Sequence, residues 1–117
     1  MAEYQQVEIE ESGAMTIVRF RQSRLSGILE LEKLEQELDQ VLRGDHHTRL
    51  VLDFTPVQFI SSELLGKLVA INRQVKARGG VLRLCGMPPR VLDVLLTCRM
   101  DTILDIRKDL AEALAAG

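Results

Sequence analysis

A short apolar run in the middle of the chain limits the possible folds most strongly. Leu50-Val51-Leu52-Asp53-Phe54 carries apolar side chains on both faces of an extended segment, which is typical of a central strand covered on both sides. After a loop, Leu64 to Val75 places apolar residues at helical spacing, and Gly79-Gly80 ends that pattern. A buried strand followed by an amphipathic helix predicts an α/β protein.

The rest of the chain repeats this alternation of strand and helix. Further strands are predicted at Val7–Glu10, Met15–Phe20, Val81–Cys85 and Ile103–Ile106, and further helices at Ile28–Leu42, from Pro88-Pro89 onward, and at Asp109–Ala116. Connections of this kind cross over in a right-handed sense onto a parallel sheet. We therefore expect residues 1–117 to form a single α/β domain, with a mostly parallel sheet of about four to five strands and about four helices.

The apolar stripes of the helices indicate which residues form the core. Ile28 begins the stripe of the first helix, and Leu92 and Leu96 belong to the stripe of the third. Cys85 and Cys98 are the only cysteines, and we expect both to be small buried side chains rather than a disulfide.

Charge and composition exclude several classes of function. The net charge is -2, aromatic residues make up 3% and Trp is absent, so neither a basic surface nor a stacking platform for nucleic acid is expected. No apolar run approaches the roughly 18 residues of a membrane helix, so no membrane insertion is expected. The acidic, polar N-terminal segment does not resemble a signal peptide. These features predict a cytoplasmic protein.

Two serines mark the most informative position. Ser61 and Ser62 lie between the loop after Asp53 and the helix that carries Leu64. A helix start has unpaired backbone N–H groups and the positive end of the helix dipole. A serine there can simply cap the helix, or it can carry a phosphate, which that position favours. Asp53 likewise is either an acid beside a site or a carboxylate that caps the loop.

The sequence offers no set of residues for catalysis or metal binding. His46 and His47 are adjacent in a loop and point in different directions, and neither has an obvious serine partner. No glycine-rich phosphate loop follows a strand. We therefore expect no enzyme activity, no metal and no cofactor.

The segment from Val51 to Leu68 resembles the STAS domain family, and specifically its anti-sigma factor antagonists. That family typically has a strand ending in Asp, a short loop, and Asp-Ser-Ser/Thr-Gly-Leu-Gly leading into a helix. Here Asp53 matches the strand-end Asp, Ser62 the phosphorylatable Ser, and Leu65-Gly66 the Leu-Gly pair. The resemblance extends from about Val7 to Leu114 and implies a single STAS domain.

Two positions depart from the family pattern. Ser61 replaces the Asp before the serine, and Leu64 replaces the Gly two positions after it. The missing carboxylate, and the bulk that Leu64 adds beside a partner surface, put the usual phosphorylation in doubt. Ser61 is an alternative acceptor.

The resemblance implies a partner-switching regulator that is not an enzyme. In such a protein the unmodified domain binds an anti-sigma factor or serine kinase of ATPase fold, and phosphorylation of Ser62 ends the contact. The implied partner-binding residues are Asp53, Pro56, Ser61, Ser62, Glu63, Leu64, Lys67 and Met87. The alternative is a constitutive STAS subunit that docks onto a transporter ATPase or another signalling complex.

Overall fold

The computed structural model describes residues 4–44 and 49–115. In chain order, its elements are β1 (Val7–Ser12), β2 (Met15–Phe20), β3 (Arg24–Leu25), α1 (Ile28–Arg43), β4 (Arg49–Asp53), β5 (Phe59–Ile60), α2 (Ser62–Ala77), β6 (Val81–Cys85), α3 (Pro89–Thr97), β7 (Asp105–Ile106) and α4 (Leu110–Ala115). A short 3₁₀ helix, Met100–Thr102, lies between α3 and β7.

The main sheet has five strands in the order β1-β2-β4-β6-β7. Only β1 and β2 are antiparallel, and every other neighbouring pair is parallel. The prediction of an α/β fold with a mostly parallel sheet and about four helices is therefore confirmed for the described part of the chain.

The central strand β4 is buried on both faces, as its apolar run predicts. Leu50 and Leu52 belong to the main core, which includes the inward faces of α1, α2 and α3. Val51 points to the other face and belongs to a smaller cluster with Met15, Cys85 and Ala113 of α4. Because successive strand residues point to opposite faces, one strand supplies both layers of the core.

The structure contains a second sheet, of two strands, that the sequence did not predict. β3 and β5 pair in parallel, with Arg24 opposite Phe59 and Leu25 opposite Ile60. Each strand has only two residues, which is too short for a recognisable alternation pattern. The pairing matters because β3 leads into α1 and β5 leads into α2, so the two helices start from neighbouring strands.

Some predicted boundaries are wrong. The helix expected from Leu64 begins at Ser62, and the edge strand expected at Ile103–Ile106 contains only Asp105–Ile106. Ile103 follows the 3₁₀ helix, where its N–H donates to the carbonyl of Met100 at 3.0 Å, so it cannot join the sheet. Ala116, the last residue of the predicted closing helix, lies outside the described residues.

Several expected core residues are exposed. Ile28 is 72% exposed because it is the first residue of α1 and precedes the buried stripe, while Leu96 is 46% exposed and Leu92 half-buried. On α3 only Val91 and Leu95 are buried. Cys98 is exposed at the end of α3, Cys85 is buried, and both are free thiols.

None of the helices in the described ranges is long and apolar enough to span a bilayer.

Candidate protein-binding site

The loop after β4 is held by the carboxylate of Asp53. Its Oδ1 accepts hydrogen bonds from the backbone N–H of Thr55 at 3.0 Å and from the Thr55 hydroxyl at 2.5 Å. Its Oδ2 accepts a hydrogen bond from Arg19 Nε at 2.9 Å. Asp53 is buried, so its carboxylate caps the loop. The expectation that Asp53 contacts a partner directly is therefore corrected.

The two serines differ sharply in accessibility. Ser62 is the first residue of α2 and is exposed. Ser61 occupies the N-cap position, but its side chain makes no capping hydrogen bond. The Ser61 hydroxyl oxygen is buried and has no hydrogen-bond partner among the described residues. Ser62 thus carries the hydroxyl that another protein can reach. Ser61 occupies the N-cap position, but its side chain does not cap the helix.

Leu64 does not add bulk to the surface. Its side chain is 1% exposed and belongs to the main core. The backbone N–H of Leu64 donates to the carbonyl of Ser61 at 3.2 Å, which closes the first turn of α2. Because the side chain points inward from that turn, the expectation of Leu64 as a partner contact is wrong.

The other predicted residues lie around this helix start at different depths. Glu63 is exposed, and Lys67 Nζ forms an ion pair with Glu35 Oε2 of α1 at 3.2 Å. Pro56 is half-buried in the turn after β4, and Met87 is half-buried after β6. Asp53 pairs with Cys85 in the parallel register. The loops that carry Pro56 and Met87 therefore follow the carboxyl ends of two neighbouring parallel strands.

Three exposed apolar side chains in the segments that begin α1 or lead into α2 were missed by sequence reasoning. Ile28 and Leu29 are 72% and 68% exposed, and Phe59, which pairs with Arg24 across β3 and β5, is 41% exposed. We call Ile28, Leu29 and Phe59 the apolar ridge. A signal was present for Leu29, because it lies outside the apolar stripe that the sequence predicts for the first helix.

Ile28 of the apolar ridge lies beside the start of α2, and Phe59 precedes it closely in the chain. Ile28 and Glu63 line the same groove between α1 and α2, and Glu63 follows Ser62 directly. The guanidinium of Arg24 lies 4.3 Å from the centroid of the Phe59 ring, which is a favourable cation–π contact. The site therefore combines an accessible hydroxyl with exposed apolar side chains.

A further feature of the described residues is the placement of the side chains that could ligate a metal ion. Within residues 4–44 and 49–115, no three His, Cys, Asp or Glu side chains are grouped to hold a metal ion. His46 and His47, which the sequence already made improbable ligands, lie outside the described residues.

The described residues thus form a five-stranded α/β domain with an exposed serine at the start of a helix. The STAS domain family model matches residues 6–113. The chain therefore belongs to the STAS domain family, as the motif around Ser62 indicates.

Solved structures of the same fold include several anti-sigma factor antagonists. The Mycobacterium paratuberculosis anti-sigma factor antagonist superposes with a TM-score of 0.82 at 21% identity, over 94% of this chain and 91% of that one. A putative antagonist from Thermotoga maritima gives 0.80 at 19% identity, over 95% and 93%. The Bacillus cell fate determinant SpoIIAA in its phosphorylated form gives 0.67 at 16% identity, over 92% and 96%. No curated protein sequence matches significantly.

Proposed function

We propose that this protein is a cytoplasmic regulator of the anti-sigma factor antagonist type, which binds its partner in the unmodified state and releases it when Ser62 is phosphorylated. The observation that carries the proposal is the contrast between the two hydroxyls at the start of α2. Ser62 is exposed, whereas the Ser61 oxygen is buried. Ser62 is therefore the acceptor, and Ser61 is not an equal alternative.

The position of Ser62 allows a phosphate without unfolding the domain. As the first residue of α2, it lies beside backbone N–H groups that have no partner within the helix. The positive end of the helix dipole favours an anion there. Modification therefore changes the charge of the surface and leaves the core intact.

The surroundings of Ser62 explain how a phosphate ends the contact. A phosphoserine adds about -1.5 to -2 charges, and the neighbouring Glu63 is already acidic. A partner that packs against the apolar ridge of Ile28, Leu29 and Phe59 would have to bury this charge beside apolar side chains, which is costly. The expected consequence is loss of the complex, which is the partner switch.

The implied partner is an anti-sigma factor or a serine kinase of ATPase fold. Support comes from the family and from the fold shared with antagonists, one of which is known in a phosphorylated form. The described residues that we assign to the contact are Pro56, Ser62, Glu63, Lys67 and Met87 together with the apolar ridge. This function needs binding and no catalysis by the chain itself.

Intact-mass measurement on protein purified from its own organism tests the proposal. A fraction carrying one added phosphate, mapped by fragmentation to Ser62, is the expected result. A phosphate on Ser61 alone, or none under any growth condition in which the protein is made, contradicts it. Protein produced with Ser62→Ala is the matched control, since it should carry no phosphate.

A constitutive STAS subunit docked onto a transporter ATPase is the second candidate. The Ser61 substitution for the family's Asp favours it, because the carboxylate beside the acceptor is missing. The substitution of Leu64 for the family's Gly does not favour this candidate, because the Leu64 side chain is buried. Proteins that co-purify with the chain separate the two: a transporter ATPase supports docking, and a serine kinase with its sigma factor supports switching.

A further inference from the structure

A groove runs between α1 and α2. It shares Ile28, Glu63 and Lys67 with the proposed contact, but Ser62 is not part of its lining. The wider part has a volume of about 400 Å³, with Ile28, Leu31 and Glu32 on the α1 side and Gly66 and Ala70 on the α2 side. A narrower part of about 170 Å³ continues along the same two helices and shares Ala70.

The groove is long enough to hold a helical segment. On α1 its lining extends from Ile28 to Asp39, and at 1.5 Å per residue this corresponds to about 16 Å, or about three helical turns. The wider part has a mostly apolar floor that includes the buried core residue Leu31, whereas the narrower part is also lined by the polar side chains of Gln36, Asp39 and Gln74. A groove with an apolar floor in its wider part and polar side chains beyond it fits an amphipathic helix.

Gly66 has no explanation within the chain itself. It lies inside α2, where glycine lowers helix stability relative to alanine. A Cβ added there would meet no atom within 4 Å, and its backbone is not in the left-handed region. Neither packing nor conformation therefore requires glycine. A flat floor at Gly66 and Ala70 does allow the backbone of another helix to approach closely.

The rim of the groove is acidic. Glu32, Glu35 and Glu63 line it against a single cation, Lys67, and Lys67 is already paired with Glu35 at 3.2 Å. Glu32 and Glu63 form no ion pair within the described ranges. An occupant that covers this rim stabilises it by supplying positive charge.

We propose that the groove binds an amphipathic helix of about three turns from the partner protein, with an apolar stripe over Gly66 and Ala70 and Lys or Arg residues facing Glu32 and Glu63. The proposal rests on the proposed binding function and specifies the chemistry of the partner. It assigns the groove, which includes Ile28 of the apolar ridge, to recognition and leaves Ser62 as the switch.

A pair of synthetic helical peptides tests this assignment. One carries Leu at helical spacing with Lys along one flank, and the other has Glu in place of every Lys. Titration into ¹⁵N-labelled protein should shift amide signals of α1 and α2 for the Lys peptide only. Gly66→Leu fills the groove and should weaken this binding at least about tenfold. Gly66→Ala should weaken it by a smaller amount, because one methyl group only partly obstructs the close approach of a helix backbone.

The charge requirement has its own control. Glu32→Lys should weaken binding of the Lys peptide, whereas Asp93→Lys, an exposed acid of α3 outside the groove, should not. Equal binding of both peptides, shifts outside α1 and α2, or unchanged affinity in Gly66→Leu overturns the proposal. Groove signals that shift with protein concentration alone indicate a second copy as the occupant and overturn it too.

The groove and the switch can fail independently. Ser62 is not part of the groove lining, so Ser62→Asp should bind the Lys peptide at least as tightly as the unmodified chain. Loss of selectivity for the Lys peptide refutes the groove assignment and leaves the Ser62 proposal untouched. Absence of phosphorylation refutes the switch and leaves the groove assignment untouched.

Discussion

A methyl group on Gly86 would lie 2.6 Å from the hydroxyl oxygen of Thr55. The same methyl group would lie 2.8 Å from Asp53 Oδ1. The chain after β6 therefore passes directly over the Asp53–Thr55 hydrogen bonds that fix the loop after β4. This contact sets the path of the chain toward β5 and the start of α2, where Ser62 lies.

Gly86→Ala should destabilise the protein by about 2–4 kcal/mol, because it combines a left-handed backbone with this steric overlap. Gly86 has a φ of 72°. Gly13→Ala is the matched control, since its φ is 59° but a Cβ there meets nothing within 4 Å. Its cost should be only about 1–2 kcal/mol. Urea denaturation measures both, and equal losses would show that the contact with Thr55 is unimportant.

Ser62→Asp should weaken binding to the partner at least about tenfold, because it places a charge beside apolar contact area. Ser62→Ala should keep the affinity. Ser62→Asn should keep it too, because Asn has the shape of Asp without its charge. The partner is the protein that co-purifies with the tagged chain from its own organism, and calorimetry measures the affinities. If all of these variants bind equally, the switch does not operate through Ser62.

Ile28→Ser should also weaken partner binding, because it removes an exposed apolar side chain of the ridge beside Ser62. Val94→Ser is the matched control, since Val94 is likewise exposed at 39% but lies on α3, outside the ridge. Both variants should unfold at nearly the same urea concentration as the unmodified chain. A larger loss of affinity in Val94→Ser would place the contact surface on α3 instead.

The two thiols should react at very different rates. Burial raises the pKa of Cys85 to about 12, with Asp53 adding to the effect, whereas Cys98 is exposed. A disulfide reagent at mildly alkaline pH should modify one thiol rapidly and the second only after denaturation. Cys98→Ser should abolish the rapid phase. Rapid reaction of both thiols in the native protein would show that the cluster beneath α4 opens readily.

Asp105 should contribute to stability in a pH-dependent way. A hydrogen bond from Arg107, at 2.6 Å, and the nearby Arg83 lower its pKa below 3.8 in the folded state. As the pH falls, the Asp105 carboxylate therefore binds a proton at a higher pH in the unfolded chain than in the folded protein. The stabilisation is fully present above pH 3.8 and is lost as the pH falls toward the pKa of the folded state. Asp105→Asn should weaken the acid dependence of the urea midpoint, and Asp101→Asn, an exposed acid nearby, should not. Unchanged acid dependence in Asp105→Asn would contradict the assignment.

The sequence predicted the parts of the fold that depend on local periodicity. The run around Val51 gave the central strand, the spacing from Leu64 to Val75 gave α2, and the segment around Ser62 identified the family. These features depend on which residues repeat every two or every 3.6 positions, and the repeat is written in the chain. The position of the candidate site, though not the exposure of its side chains, was predictable for the same reason.

Only the tertiary structure decided which side chains at that site are accessible. Ser61 and Ser62 are chemically identical, yet one hydroxyl is buried and the other exposed, and Leu64 is part of the core although it lies in the first turn of α2. The apolar ridge exists because β3 and β5, two residues each, bring the starts of α1 and α2 together. Exposure is set by neighbours that are distant in sequence, and a local pattern carries no information about them.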